Sequence, residues 1–244
     1  MQVSGLFIKP RHGQPVQRQT RLLLRSQEGI QGDCAAQAGS PRQVLLVDEP
    51  ILARFDLQPG DLRENILLRD GLESFSSGQG LQIGDVLLRL TFRCEPCAYL
   101  NTVQPGLMQR LSKHRGWLGM VMRGGAIAIG DAVQLLPAQF TPMSDAVKSR
   151  FFEFVATIPP GKVVTTKDLI LALGVTTAHY RVFPTFIKQA PNPLPVHRIV
   201  AIDGSLFKQH LPAQAALLLA EGVKIQADRV CPGHYWPSQH FNSS

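Results

Sequence analysis

The feature that most limits the fold is the punctuation of residues 1–140, where short apolar runs alternate with glycine-containing turns. Leu6-Phe7-Ile8, Leu22-Leu23-Leu24, Val44-Leu45-Leu46-Val47 and residues 85–92 read as strands, with turns at Gly29, Gly32, Gly60, Gly71, Gly80, Gly84 and Gly106. Many short strands at this spacing predict a barrel or sandwich. Two short helices are expected, over residues 48–55 and 105–113, and residues 124–133 read as a closing hairpin.

The rest of the chain has another rhythm. Phe140-Thr141-Pro142-Met143-Ser144 reads as a junction, with Ser144 as a helix cap. Val147, Phe151, Phe154 and Val155 recur at helical spacing, which predicts an amphipathic helix over 145–157, stopped by Pro159-Pro160-Gly161. Val163–Thr166 reads as a short extended piece. Helices over 167–173 and from Thr176 or Thr177 to Lys188, joined through Gly174, resemble a helix-turn-helix. Residues 197–207 read as a hairpin able to form a wing, and 213–221 as a last helix. The expected class is α+β: a β-barrel domain over 1–140, then a small, mainly α winged-helix domain over 141–244.

Composition narrows the function classes. No apolar run approaches the roughly 20 residues of a membrane span, and nothing reads as a signal peptide, so neither a membrane nor export is expected. Four scattered cysteines predict reduced thiols in a cytoplasm. The net charge of +7 divides into +3 before Phe140 (15 basic, 12 acidic) and +4 after it (10 basic, 6 acidic), which favours anionic partners.

Chemistry concentrates at Arg93-Cys94-Glu95-Pro96-Cys97, where an alternating strand ends. Pro96 cannot donate to a ladder and fixes the backbone ahead of Cys97. Arg93 favours thiolate, the form that binds metals or attacks sulfur. The pair suits a redox couple, half a zinc site or two buried small hydrophobes; Cys34 and Cys231 stand alone and do not complete a four-ligand zinc set.

Six motifs in order carry a resemblance. Gly29-Ile30-Gln31-Gly32-Asp33, Arg42-Gln43-Val44, Pro59-Gly60-Asp61-Leu62-Arg63-Glu64-Asn65, Ile83-Gly84-Asp85, Cys94-Glu95-Pro96-Cys97 and Gly130-Asp131 resemble a MOSC domain, the module named for the C-terminus of molybdenum cofactor sulfurase. Cys34 stands where that family often carries histidine. The resemblance implies a β-barrel that binds molybdenum cofactor or reduces N-hydroxylated compounds, with Cys97 as metal ligand or sulfur carrier and Cys94 beside it. Thiolate suits a sulfur-ligated molybdenum. Arg42, Arg63 and Arg93 would meet the pterin phosphate, and Gln43 and Asn65 would complete the cofactor site. A separate electron-donor reductase is implied, since the chain has no Gly-rich dinucleotide fingerprint and no iron–sulfur cysteine set.

Ile158-Pro159-Pro160-Gly161-Lys162-Val163, Pro195-Val196-His197-Arg198-Ile199-Val200, Asp203-Gly204 and Glu221-Gly222-Val223 are similar to the DNA-binding domain of O6-alkylguanine-DNA alkyltransferases and to alkyltransferase-like proteins. Val196 occupies the position of their acceptor cysteine. A side chain without a lone pair cannot attack, so alkyl transfer is excluded. The resemblance implies double-stranded DNA with alkylated or modified bases as a partner, met by Thr166, Tyr180, Arg181, Val196, His197 and Arg198. Arg181 matches the arginine that fills the stack when a base is flipped. Two further readings stand beside the reductase: a non-enzymatic sensor of alkylated DNA, and a persulfide carrier using Cys97 with Cys94 as resolving thiol.

Overall fold

The computed structural model describes residues 1–242 and divides into two compact units, Met1–Met143 and Ser144–Asn242. The architecture is mixed α+β, and no helix among the described residues is long and apolar enough to cross a membrane.

The first unit contains β1 (Val3–Ile8), β2 (Gln17–Gln19), β3 (Arg21–Arg25), β4 (Gly29–Ile30), β5 (Val44–Asp48), α1 (Glu49–Phe55), β6 (Ile66–Leu68), β7 (Gln79–Ile83), β8 (Val86–Arg93), α2 (Leu100–Val103), α3 (Leu107–Leu111), β9 (Trp117–Arg123), β10 (Gly125–Ala128) and β11 (Val133–Ala138). Eight strands form one curled half-barrel sheet in the order β11-β7-β8-β9-β5-β6-β1-β2, and β10, β3 and β4 form a second sheet. A single bridge, Gln2 with Ala132, brings the chain just before β1 alongside that before β11.

Strand β5 shows why the sheet is buried on both faces. Val44 and Leu46 point into one apolar cluster, Leu45 and Val47 into the other, as a period of two requires. The second cluster lies under the helices, where Leu52, Leu100, Leu107 and Leu111 pack with Phe92. Helix α1 follows β5 directly because Asp48 caps it, accepting a hydrogen bond from Ile51 N at 3.3 Å, and Pro50 sits in the first turn, where no donor is needed. The hairpin expected over 124–133 does not form. β10 pairs with β3, and β11 with β7. Gly124 allows the close approach: a Cβ there would lie 2.7 Å from the Leu24 carbonyl oxygen.

The second unit contains α4 (Val147–Thr157), β12 (Val164–Thr165), α5 (Thr166–Leu173), α6 (Phe183–Lys188), β13 (Ile199–Val200), α7 (Gln214–Ala220), β14 (Ile225–Gln226) and β15 (Arg229–Val230). Phe151, Phe154, Leu169, Leu173, Phe183 and Ile187 build its core. Thr165 and Asp168 form a reciprocal capping box on α5, and Gly174 ends it in the left-handed region at φ 61°.

Three further expectations need correction. Ser144 does not cap α4; the helix starts later, and Ser144 instead hydrogen-bonds the Glu153 carboxylate while Arg150 donates to the carbonyls of Ser144 and Asp145. The helix expected up to Lys188 breaks at Val182 into a 3₁₀ turn, Thr177–Arg181, and α6. Pro184 is the cause: without an N–H it is tolerated only in a first helical turn. Residues 197–207 form no wing ladder, because β13 pairs with β12 in parallel, Ser205 bridges to Arg229, and the residues between make a tight turn.

Candidate functional site

The cysteine turn is built where β8 runs out. Cys94 N donates to Gly116 O at 3.0 Å, the last bond of that side of the sheet. Gly116 has φ +112°, and a Cβ there would collide with the Leu46 carbonyl oxygen, so this approach demands glycine. Pro96 then withholds a donor, and the Cys97 carbonyl accepts from Leu100 N at 3.0 Å as α2 begins. Cys94 ends up buried and Cys97 half-buried.

Each sulfur meets its own guanidinium. Arg42 Nη2 lies 3.5 Å from Cys94 Sγ, and its Nη1 donates to Glu95 Oε2 at 2.5 Å. Burial opposes the charge of Arg42, but the Cys94 sulfur, Glu95 and Cys97 outweigh it and hold its pKa above the usual guanidinium value. Arg115, 8% exposed, donates through Nη1 to Glu95 O at 2.7 Å and to Cys97 Sγ at 3.2 Å. Sequence reasoning missed Arg115. Its signal was a basic residue directly before the obligatory Gly116, inside Lys113-His114-Arg115, which alone looks like a solvated basic run.

Arg63 sits in the left-handed region at φ 58° and lays its guanidinium over the Tyr99 ring, 3.6 Å from the centroid. Among the described residues, Nε of Arg63 and Nε of Arg115 are buried without a hydrogen-bond partner. Gln43 and Asn65 are different. Gln43 donates to Gln27 O and Gln37 O and accepts from Val121 N. Asn65 donates to Phe7 O and to Asp33 Oδ2 and accepts from Leu45 N. Both amides are fully committed inside the core, so these two residues support the site and do not line it. Asp33 is part of the same clamp, taking the Lys9 and Ala35 amides at 2.8 Å each. Cys34 lies beside it, 3.7 Å from His12 Nδ1, with burial pushing its thiol pKa up. Arg93 stands over Trp117, 5.5 Å from the ring, and lines a pocket that neither Cys94 nor Cys97 lines. No cluster of three metal-ligating side chains is found among the described residues.

In the second unit, Val196 opens a 3₁₀ turn, Val196–Arg198, beside a pocket of about 360 Å³ lined by Pro193, Val196, His197, His210 and Leu217. His197 Nε2 donates to Glu221 Oε1 at 2.8 Å, Arg198 grips both Glu221 oxygens, and Gly161 N completes the cradle at 3.0 Å. Burial opposes the Glu221 charge, but the Arg198, His197 and Gly161 hydrogen bonds prevail and hold its pKa down at about 2. Arg198 also donates to Ile158 O at 2.5 Å. His197 and Arg198, expected to meet DNA, have side chains 15% and 13% exposed and tie the 196–198 turn to α7 and the Pro159–Gly161 loop. Thr166 and Tyr180 join Phe183, Ile202 and Phe207 around a second, apolar pocket of about 440 Å³, and Arg181 is exposed at the end of the 3₁₀ turn. Trp236 is a core residue, packed on Phe154 and Phe241.

Residues 34–134 match the MOSC domain family, and residues 146–223 match the family described as 6-O-methylguanine DNA methyltransferase, DNA binding domain. Both resemblances read from the motifs are borne out. No curated protein is significantly similar to the chain. Among solved structures, the YuaD protein of Bacillus subtilis is 18% identical, covering 57% of this chain and 96% of its own, with a TM-score of 0.49. YiiM of Geobacillus stearothermophilus is 14% identical over 89% and 98%, with a TM-score of 0.48. Atl1 of S. pombe, in complex with damaged DNA containing O6-carboxymethylguanine, is 22% identical over 38% and 97%, with a TM-score of 0.34.

Proposed function

For a chain that joins a MOSC domain to an alkyltransferase-type DNA-binding domain, we propose that the first binds molybdenum cofactor through Cys97 and reduces N-hydroxylated compounds, modified bases among them. The second would hold DNA without transferring alkyl groups. The observation that carries the reading is the half-buried Cys97 sulfur held 3.2 Å from Arg115, whose own buried Nε has no hydrogen-bond partner among the described residues. A soft sulfur ligand beside a buried donor that lacks an acceptor suits a sulfur-bound metal with an anionic organic part.

When bound, the cofactor supplies two-electron redox chemistry at a soft-ligated metal. Two electrons and two protons convert an N–OH to N–H and water, and the electrons come from a separate reductase. The chain's own residues do the holding. Arg115 fixes the Cys97 sulfur, and the Arg42–Glu95 pair fixes the turn that carries it. Arg63, stacked on Tyr99, offers a fixed planar donor to a phosphate. Gln43 and Asn65 hold the strands behind them.

The deciding experiment is the molybdenum and pterin content of anaerobically purified protein, wild type beside Cys97→Ser. Near-stoichiometric metal lost in the variant supports the reading; no metal in either, from a host that makes the cofactor, overturns it. A second reading, a non-enzymatic sensor of alkylated DNA, is favoured by the pocket at Val196, where valine stands in place of the acceptor cysteine and no cysteine is among the lining residues.

A further inference from the structure

The first unit has a pocket of about 600 Å³ away from the cysteine turn, between α1, residues 70–74 and residues 113–117. Two of its walls are tied together. Asp48, 3% exposed, accepts from Ile51 N with one carboxylate oxygen and from Leu72 N at 3.1 Å with the other, so α1 and the 3₁₀ turn Leu72–Ser74 are held at one separation. Ile51, Leu72 and Trp117 give an apolar interior.

Charge is distributed unevenly around it. Arg54, Arg93, Lys113 and His114 contribute basic groups, with Arg93 laid over the Trp117 ring. The exposed acids are Asp70 and Glu73, and Asp70 is already offset by the Met1 ammonium at 3.9 Å. Among the described residues, Arg54 and Lys113 pair with no carboxylate. The volume falls within the range of small-ligand sites, and an apolar, aromatic interior with a few convergent polar groups is their usual composition. A rim with surplus cations adds a preference for anions.

We infer that this pocket is a binding site for a planar aromatic molecule carrying an anionic group, of the nucleoside monophosphate class. The ring lies against the Arg93 guanidinium that covers Trp117, and the phosphate meets Lys113 and Arg54. Neither Cys94 nor Cys97 lines it, so it stands independently of the molybdenum reading.

The chain has two tryptophans, Trp117 and Trp236. In full-length Trp236→Phe protein, Trp117 is the sole indole, and its fluorescence reports the pocket. GMP and AMP are titrated beside adenosine and inorganic phosphate, with calorimetry on wild type as a second readout. The expected result is saturable quenching by the monophosphates and much weaker binding of either part alone. Lys113→Gln and Arg54→Gln each weaken binding about threefold, as expected for solvent-exposed charges. No saturable binding up to millimolar concentration by either readout, equal affinity for phosphate alone, or unchanged affinity in both variants would overturn the proposal.

Discussion

Arg115 and Cys97, 18 residues apart, meet at 3.2 Å, and the same Nη1 holds the Glu95 carbonyl at 2.7 Å. One guanidinium therefore fixes both the Cys97 sulfur and the backbone that carries it. Methionine in its place keeps volume and removes both bonds. Arg115→Met is expected to slow alkylation of Cys97 by iodoacetamide at fixed pH about tenfold, with Arg115→Lys between the two, read by mass spectrometry of each cysteine. The Glu95 carbonyl loses its buried donor, so stability falls by about 1–3 kcal/mol. Unchanged Cys97 reactivity in Arg115→Met would show that the contact is only structural.

Asn65 and Arg63 stand two residues apart and divide the labour. Asn65, 1% exposed, makes three hydrogen bonds inside the core. Asn65→Leu leaves the Leu45 amide and the Phe7 carbonyl without partners, at a cost of about 3 kcal/mol. Arg63→Ala removes a stacked guanidinium and costs about 1 kcal/mol. Urea denaturation should order the two this way. On the proposed cofactor reading, pterin content should reverse it among folded proteins: Arg63→Ala should reduce it, and any loss in Asn65→Leu should track its unfolded fraction.

The fold was legible where the signal is local. β5 is a run of apolar residues ending at a capping Asp48, and α1 follows with Pro50 in its first turn. The cysteine turn was legible because Pro96 interrupts an alternating strand. What was not legible depends on distant partners. Nothing near Arg115 says that its guanidinium reaches Cys97, and nothing in the sequence of Asn65 distinguishes a cofactor ligand from a pin on Leu45, Phe7 and Asp33. The partners of β10 and β11 were misread for the same reason: a glycine turn between two strands suggests a hairpin, while the ladder is decided by β3 and β7. In the second unit the local sign was present, since Pro184 marks where the helix must restart.

Glu221 gives a pH dependence of defined sign. Its folded pKa, about 2, lies below the ordinary value of 4.5. A depressed carboxylate stabilises the folded state fully above its unfolded pKa and loses that stabilisation as pH falls through the folded one. The second unit should therefore weaken between pH 4.5 and 2. Glu221→Gln removes charge-assisted bonds to His197 and Arg198, at a cost of about 2 kcal/mol at pH 7. The gap between wild type and variant, measured by denaturant unfolding, should narrow toward pH 2; a gap constant with pH would mean the carboxylate's charge contributes nothing.

Arg181 separates specific DNA binding from general electrostatics. It is exposed at the end of the 3₁₀ turn, immediately before the exposed Val182, while Tyr180 reaches back to Phe183 edge-on at 6.3 Å. A protein that flips a base needs a side chain to occupy the gap, and of the exposed Thr177, Ala178 and Arg181 of this turn Arg181 has the longest side chain. Wild-type protein should bind a duplex with one O6-methylguanine more tightly than the undamaged duplex, and Arg181→Ala should abolish that preference while leaving the salt slope within about one unit. Lys188→Gln, a surface change on α6, should weaken both duplexes equally. Equal affinity of the wild type for damaged and undamaged DNA, falling together with salt, would leave only phosphate attraction and remove the sensor reading.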